Sequence, residues 1–318
     1  MRSGILVLCM AGCVSQVSAA TAEFPPRPIR IVVPFAAGGA TDIVGRTVGQ
    51  KLNEGLRQTV VIDNRPGAGG VLGTDLIAKS TADGYSLLLC STGPITISPA
   101  LGQKLPYDAI RDFEGVTPVG TVPYVLLVNQ TAAYQTVKDL VAQARARPGQ
   151  LNYASAGNGS TSHLAAELFK SMVKANVVHV PYKGSAPAAT DLAGGQIQMM
   201  FDAVPAALPL VKSGKIKALG IATSVRSALL PEVPTLSESG LPGYEVFSWY
   251  GICAPARTPQ KVLSTLSQAI VKGMSTSETR ERFANIGAEV LTDTPAGFRK
   301  LIESEMAKWS KVIKDAGL

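Results

Sequence analysis

The sequence predicts an α/β protein built as two lobes, each a mostly parallel sheet flanked by helices. Three observations carry that prediction. Apolar strands alternate with amphipathic helices from residue 28 onward, the same rhythm restarts in mid-chain, and two extended stretches stand where the chain would cross between units. A chain of 318 residues is also long for one core and comfortable for two. Periodicity alone does not exclude a single, larger doubly wound sheet.

The elements follow in order. Met1-Arg2, the apolar run Ile5–Ala11 and the small residues around Ser18-Ala19-Ala20 have the three-part layout of a secretory signal, which assigns residues 1–20 to a leader. That run is far short of the ~20 residues a membrane anchor needs. Met10-Ala11-Gly12-Cys13 loosely resembles a lipid-attachment site, so anchoring at Cys13 is the alternative to release by cleavage. Ile29–Val33 then reads as a strand, Thr41–Leu52 as a helix, Thr59–Asp63 as a strand, Val71–Lys79 as a helix and Tyr85–Cys90 as a strand. The second series runs through helix Val137–Ala146, strand Leu151–Ala154, helix Thr161–Met172 and strand Val177–Val180. It continues with a short helix at Pro187–Leu192, strand Ile197–Phe201, helix Pro205–Lys212 and strand Ala218–Thr223. The C-terminal part is mainly helical, at Pro259–Met274, Thr276–Ile286 and Pro295–Ala316, with a short strand near Glu289–Leu291. Tyr124–Val128 and Val246–Ala254 are the two crossings. They place residues 24–123 plus 250–318 in one lobe and 124–249 in the other, a hinge arrangement.

Two glycine-rich turns, one in each half, are the candidate site. Pro34–Asp42 joins the first strand to the first helix through Gly38-Gly39, where the backbone can turn sharply and approach a ligand with no Cβ in the way. Thr41 or Asp42 can cap that helix, and the neighbouring N–H groups are left for an anion. Tyr153–Ser162 repeats the arrangement, with Ser155, Gly157, Gly159, Ser160 and Thr161 gathering hydroxyls and free amides between a strand and a helix. Both turns would sit at carboxyl ends of strands, where α/β sheets bind ligands. Either alone reads as an ordinary tight βα turn. Together, and with no Lys or Arg inside them, they read as a shared cradle for a carboxylate.

Other chemistries find little support. The formal net charge is +7, but Lys and Arg are scattered beside Glu and Asp, and aromatics are only 6% of the chain, which argues against a nucleic-acid surface. The turn after the first strand lacks the dinucleotide and P-loop patterns, and there is no G-x-S-x-G elbow. A triad of Ser162, His163 and Asp202 fails because adjacent side chains at a helix start do not face each other. With only two histidines, His163 and His179, and no cysteines at metal spacing, neither a metal site nor a cofactor is expected. Beyond the leader only Cys90 and Cys253 remain; they are expected as buried, unpaired thiols, although export would permit a disulfide.

From about Pro28 to the C-terminus the chain resembles the tripartite tricarboxylate transporter substrate-binding family, also called the Bug family. The motifs that carry this are Pro28-Ile29-Arg30-Ile31-Val32-Val33-Pro34-Phe35 with Gly38-Gly39 and Asp42, Asn64-Arg65-Pro66-Gly67-Ala68-Gly69-Gly70, and Asp83-Gly84-Tyr85. Leu105-Pro106-Tyr107-Asp108, Val180-Pro181-Tyr182-Lys183-Gly184, Gly214–Leu219 and Trp249-Tyr250-Gly251 follow in order. The resemblance implies a periplasmic-binding-protein (Venus flytrap) fold and a monomeric, non-enzymatic receptor. It would hold a small carboxylate between its lobes and deliver it to integral-membrane transporter subunits; a sensor feeding a signalling system is the alternative. It implies contacts from Ala37, Gly38, Gly39, Thr41 and Asp42, from the second turn, and from Ser91, Thr92, Tyr182, Lys183 and Asp202 as side walls. The chain departs from the family pattern at Pro94-Ile95 and at Ala203, where an Asn is expected, and both places would shape the far end of the pocket.

Overall fold

Strand β1, Ile29–Val33, is apolar at every position but Arg30 and is buried almost throughout, as befits a strand covered on both faces. In the computed structural model, which describes residues 24–318, helix α1 (Ala40–Leu56) follows it and buries Val44, Val48 and Leu52 along one stripe. Gly45 and Gly49 let α1 lie close on the sheet: a Cβ at either would come within 2.9 Å of Val33 or 2.8 Å of Ile62. Strand β2 (Val60–Asn64), helix α2 (Val71–Ala78) and strand β3 (Ser86–Ser91) complete a parallel set in the order β2-β1-β3. A π-helical turn, Gly93–Ile97, runs from β3 into the single turn α3 (Ser98–Ala100).

The chain then forms one 17-residue strand, β4, from Phe113 to Asn129. Sequence reading recognised only its last part, as a crossing. Helix α4 (Val137–Ala146) follows, entered through a reciprocal capping box between Thr136 and Asp139. The second series continues as β5 (Asn152–Ser155), α5 (Thr161–Val173), β6 (Val178–Pro181) and α6 (Ser185–Ala193). It ends with β7 (Met199–Ala203), α7 (Val204–Lys212) and β8 (Ile216–Ile221). Strand β9 (Phe247–Pro255) and helices α8 (Gln260–Met274), α9 (Ser277–Ala284) and α10 (Pro295–Ala316) finish the chain.

The pairing explains why there are two lobes. The first part of β4, Phe113 to Pro123, runs antiparallel to β9, which in turn runs antiparallel to β3. From Tyr124 onward the same strand changes partners and lies between β7 and β8, with β5 and β6 parallel beyond β7. Each lobe is therefore a mixed sheet with a parallel region. Pro118 and Pro123 are accommodated because the register with β9 slips around the first and the partner changes at the second.

Helix α10 ties the C-terminus across both lobes. Its buried stripe of Phe298, Ile302, Trp309 and Ile313 has helical spacing, each such side chain worth roughly 1.5–3 kcal/mol of burial. Phe298 meets Trp249 edge-on at 5.5 Å, whereas at the other end the Ala316 carbonyl accepts the Ser171 hydroxyl of α5. Trp309 donates its indole N–H to buried Glu305.

The expectation for the cysteines is overturned. Cys90 of β3 and Cys253 of β9 form a disulfide, with Cα atoms 6.0 Å apart. Their strands are sheet neighbours, with Leu88 opposite Cys253 and Cys90 opposite Gly251, so a separation of 163 residues becomes a short diagonal.

Candidate functional site

The N-termini of α1 and α5 point into one cavity between the lobes. Helix α1 starts after Gly39 with no side chain capping it, so the amides of Ala40 and Thr41 have no acceptor within the helix. Ahead of it, the turn is fixed by Asp42, whose carboxylate accepts from the Gly38 amide (3.0 Å), Arg46 Nε (2.9 Å) and Asn64 Nδ2 (3.0 Å). Burial alone would raise its pKa, but those three bonds to the ionised form hold it below the ordinary aspartate range. The first turn of α5 is organised differently: Ser160 Oγ accepts from the His163 amide at 3.2 Å and Ser162 Oγ from the Ala156 amide at 2.9 Å.

The lobes meet backbone to backbone around the cavity. The Ala36 amide donates to the Lys183 carbonyl at 3.3 Å, and the Ser98 hydroxyl to the Gly159 carbonyl at 3.4 Å. Gly69 and Gly157 face each other, and a Cβ on either would run into the other's turn. The enclosed space is small, leaving about 30 Å³ open to the centre of a water-sized sphere, room for about two water molecules by that measure.

Of the residues expected at the site, Gly39, Thr41, Ser91, Ser160, Thr161 and Asp202 line this cavity together. The others stand around it. Ala37 and Gly38 are exposed, and Asp42 braces its turn from behind. Thr92 is buried, with its hydroxyl accepting from the Trp249 amide at 2.9 Å. Ser155 is bound to His179 at 2.6 Å, and Gly157 and Gly159 shape the turn at φ 120° and 76°. Tyr182 donates to Asp191 at 2.6 Å, and the Lys183 side chain is exposed while its carbonyl joins the lobes.

Sequence reasoning missed the walls contributed by the crossings. Tyr124 of β4 and Ser248 and Tyr250 of β9 line the cavity, as do Phe35, Gly93 and Ser185. Thr161 and Ser248 hydroxyls lie 3.2 Å apart. Burial pushes the Tyr250 pKa up to about 12. Nothing local marks Tyr124 or Ser248 as wall residues, and Tyr250 stands in the Trp249-Tyr250-Gly251 motif without any sign that it faces a ligand; the pairing of β4 with β9 brings these three to one place.

Among the described residues, none that lines the cavity carries a positive charge. An anion held here would meet helix N-termini, amides and hydroxyls, each neutral donor worth about 1 kcal/mol, so that several must converge. No described helix is long and apolar enough to cross a membrane.

Two α/β lobes closing over a cation-free cleft define a solute-binding protein of the periplasmic type. The family model for the tripartite tricarboxylate transporter family receptor matches residues 44–318, and the chain belongs to that family. Protein BugT of Bordetella pertussis (strain Tohama I) is 39% identical over 313 residues, covering 98% of this chain and 95% of that protein. MatC (Rpa3494) from Rhodopseudomonas palustris, solved with bound malate, superposes with a TM-score of 0.88 at 33% identity, over 91% of this chain and 100% of that one. R. palustris Rpa4515, solved with adipate, gives 0.88 at 36% identity, over 93% and 99%. The signal-peptide and Cys13 expectations lie outside the described residues.

Proposed function

We propose that this protein is an extracytoplasmic, non-enzymatic solute receptor that captures a small carboxylate between its lobes. It hands the ligand to the membrane subunits of a tripartite tricarboxylate-type transporter and works in the periplasm, as a monomer, after loss of its leader. The ligand is a di- or tricarboxylate, an acidic amino acid or an aromatic carboxylate. The observation that carries this reading is the convergence of two helix N-termini, α1 uncapped, on a cavity lined by hydroxyls and no cation. Malate and adipate in the two solved relatives support the ligand class. We place the lobe boundaries at Pro123/Tyr124 in β4 and at Trp249/Tyr250 in β9, near the partner change of β4.

The test is thermal unfolding of the leaderless protein, stripped of ligand by unfolding and refolding, against a panel of small carboxylates. A ligand at ~100 times its dissociation constant adds about 2.7 kcal/mol of stability. A flat panel on refolded protein overturns the carboxylate reading. The transport role is checked in a deletion strain: uptake that survives while gene expression changes would assign a sensor role instead.

A further inference from the structure

The second lobe has a pole turned away from the cavity, and the fold gathers cations there. Strand β4 ends at this pole and β5, β6, β7 and β8 begin there, since Val128 pairs Met199, Asn129 pairs Ile216, Tyr153 pairs Met199 and Asn152 pairs Val178. The other ends of β5 and β7, at Ser155 and Ala203, adjoin the cavity. Lys138 and Arg145 of α4, Arg147 after it, Lys174 after α5, Lys212 at the end of α7 and Lys215 beyond it are all exposed at the pole. They come from three separate stretches of sequence, so they look scattered until the chain folds. None of the six stands in an ion pair among the described residues, whereas Lys170 and Arg226 of the same lobe do.

Helix ends explain part of this and not the whole. Helices α4, α5, α6 and α7 all finish at the pole, and Arg145 Nε donates to the Val173 carbonyl at the end of α5 at 2.9 Å. Four C-termini at about half a charge each answer about two cations. The acids at the pole are Asp139, turned onto the Gln135 and Thr136 amides, and Asp191, which accepts from the Tyr182 hydroxyl. The six basic side chains therefore outweigh what faces them. They surround the end of the sheet, with α4 and α5 packed on one face and α6 and α7 on the other, so the charge covers a broad end and not a groove. Between Lys138 and Arg145 a shallow depression is lined by Val141 and Met172. A broad basic end with an apolar depression fits a plane of anionic headgroups above acyl chains. Each Lys or Arg close to such a plane adds about fivefold to binding.

We propose that this pole is an electrostatic docking surface for an anionic phospholipid bilayer. Seated there, the protein waits at the membrane with its cleft on the far side from the lipid, open to solute. Such an attachment is salt-sensitive and reversible, so the protein can leave it to reach a transporter. The inference goes beyond the receptor reading and does not depend on which solute the cleft takes.

The experiment is co-sedimentation of the leaderless protein with large vesicles, made either of phosphatidylcholine alone or of phosphatidylcholine and phosphatidylglycerol in equal parts. The parent should bind only the mixed vesicles, and should lose most of that binding as salt rises from about 50 mM to about 200 mM. The combined variant Lys138→Gln, Lys174→Gln, Lys212→Gln and Lys215→Gln should bind about tenfold or more weakly. The same change of net charge made on the first lobe, with Lys104→Gln, Lys261→Gln, Lys272→Gln and Lys300→Gln, should cost less than about threefold. Unfolding midpoints like the parent's show that both variants fold. Equal losses in the two variants would assign the binding to net charge alone and overturn the role of the pole. A parent that ignores the mixed vesicles at about 50 mM salt would overturn it too. Pole-dependent binding of single-stranded DNA or polyglutamate as tight as that of the vesicles would make this a general polyanion surface and overturn the bilayer assignment. None of these outcomes bears on solute binding in the cleft, so the receptor reading stands or falls by its own test.

Discussion

The rings of His163 and His179 stack 4.4 Å apart behind the second glycine turn, and each holds a different part of it. His163 Nδ1 accepts from the Gly159 amide at 3.3 Å, and His179 Nε2 shares a 2.6 Å hydrogen bond with Ser155 Oγ, which also accepts from the Gly157 amide. An acceptor at Nδ1 requires a neutral His163 ring. Tyr153 continues the stack at 4.7 Å from His179, with Glu167 and Lys170 beside it.

A pH dependence follows. Burial, joined by the neighbouring ring, lowers His179 from 6.5 to about 4, and burial lowers His163 as well. Between about 6.5 and about 4 the unfolded chain binds protons at these positions and the native chain does not, so stability falls as pH falls through that window. Midpoints of thermal unfolding measured from pH 7 to pH 4 should drop, with a shallower slope in His179→Gln. Equal slopes in the two proteins would remove the histidine pair as the cause.

Asp202 acts with the opposite sign. Its pKa is raised from 3.8 to about 7, so the native state binds the proton more tightly and stability is lost as pH rises through that interval. That interval corresponds to about 4 kcal/mol. Asp202→Asn, which keeps an acceptor for the Ala203 amide, should therefore be more stable than the parent at pH 8 by up to that amount. Denaturant titrations at pH 8 and pH 4 check this; the gain should shrink toward zero at the lower pH.

Gly39→Val should leave the fold intact and abolish ligand binding. Gly39 has φ −81° and ψ 171°, which any residue adopts, but a Cβ there comes within 2.8 Å of Ser185 Oγ on the opposing lobe. The expected result is a loss of about 100-fold or more in calorimetric affinity, with the unfolding midpoint of the free protein little changed. Retained affinity would show that the lobes do not close against this turn.

Removing the disulfide should cost stability without moving the site. A cross-link closing a loop of 163 residues is worth about 5 kcal/mol in the chain-entropy account. Reduction, or the pair Cys90→Ser and Cys253→Ser, should lower the unfolding free energy by a large part of that. Ligand affinity should stay within about threefold, because neither cysteine lines the cavity.

The alternation of strands and helices was legible because each repeats a local period, and the glycine turns because Gly38-Gly39 and Gly157–Gly159 stand at strand ends. Strand β4 was not. Pro118 and Pro123 argue against a central strand, and only register slips and a change of sheet partner, both non-local, make room for them. Tyr124, Ser248 and Tyr250 were missed for the same reason, since each reaches the cavity through β4–β9 pairing, and even the Trp249-Tyr250-Gly251 motif does not say which way Tyr250 faces. The disulfide was invisible because sequence distance says nothing about a diagonal between adjacent strands.

That bond also sets an order of events. A chain delivered from its N-terminus presents Cys90 long before Cys253, and β3 cannot gain its neighbour β9 until every residue of α4 through β8 has passed. The inserted lobe can close its own sheet while the first waits, half-built and with a free thiol. Maturation of this molecule is therefore timed by its last third, and an oxidant that acts too early has no correct partner to offer Cys90.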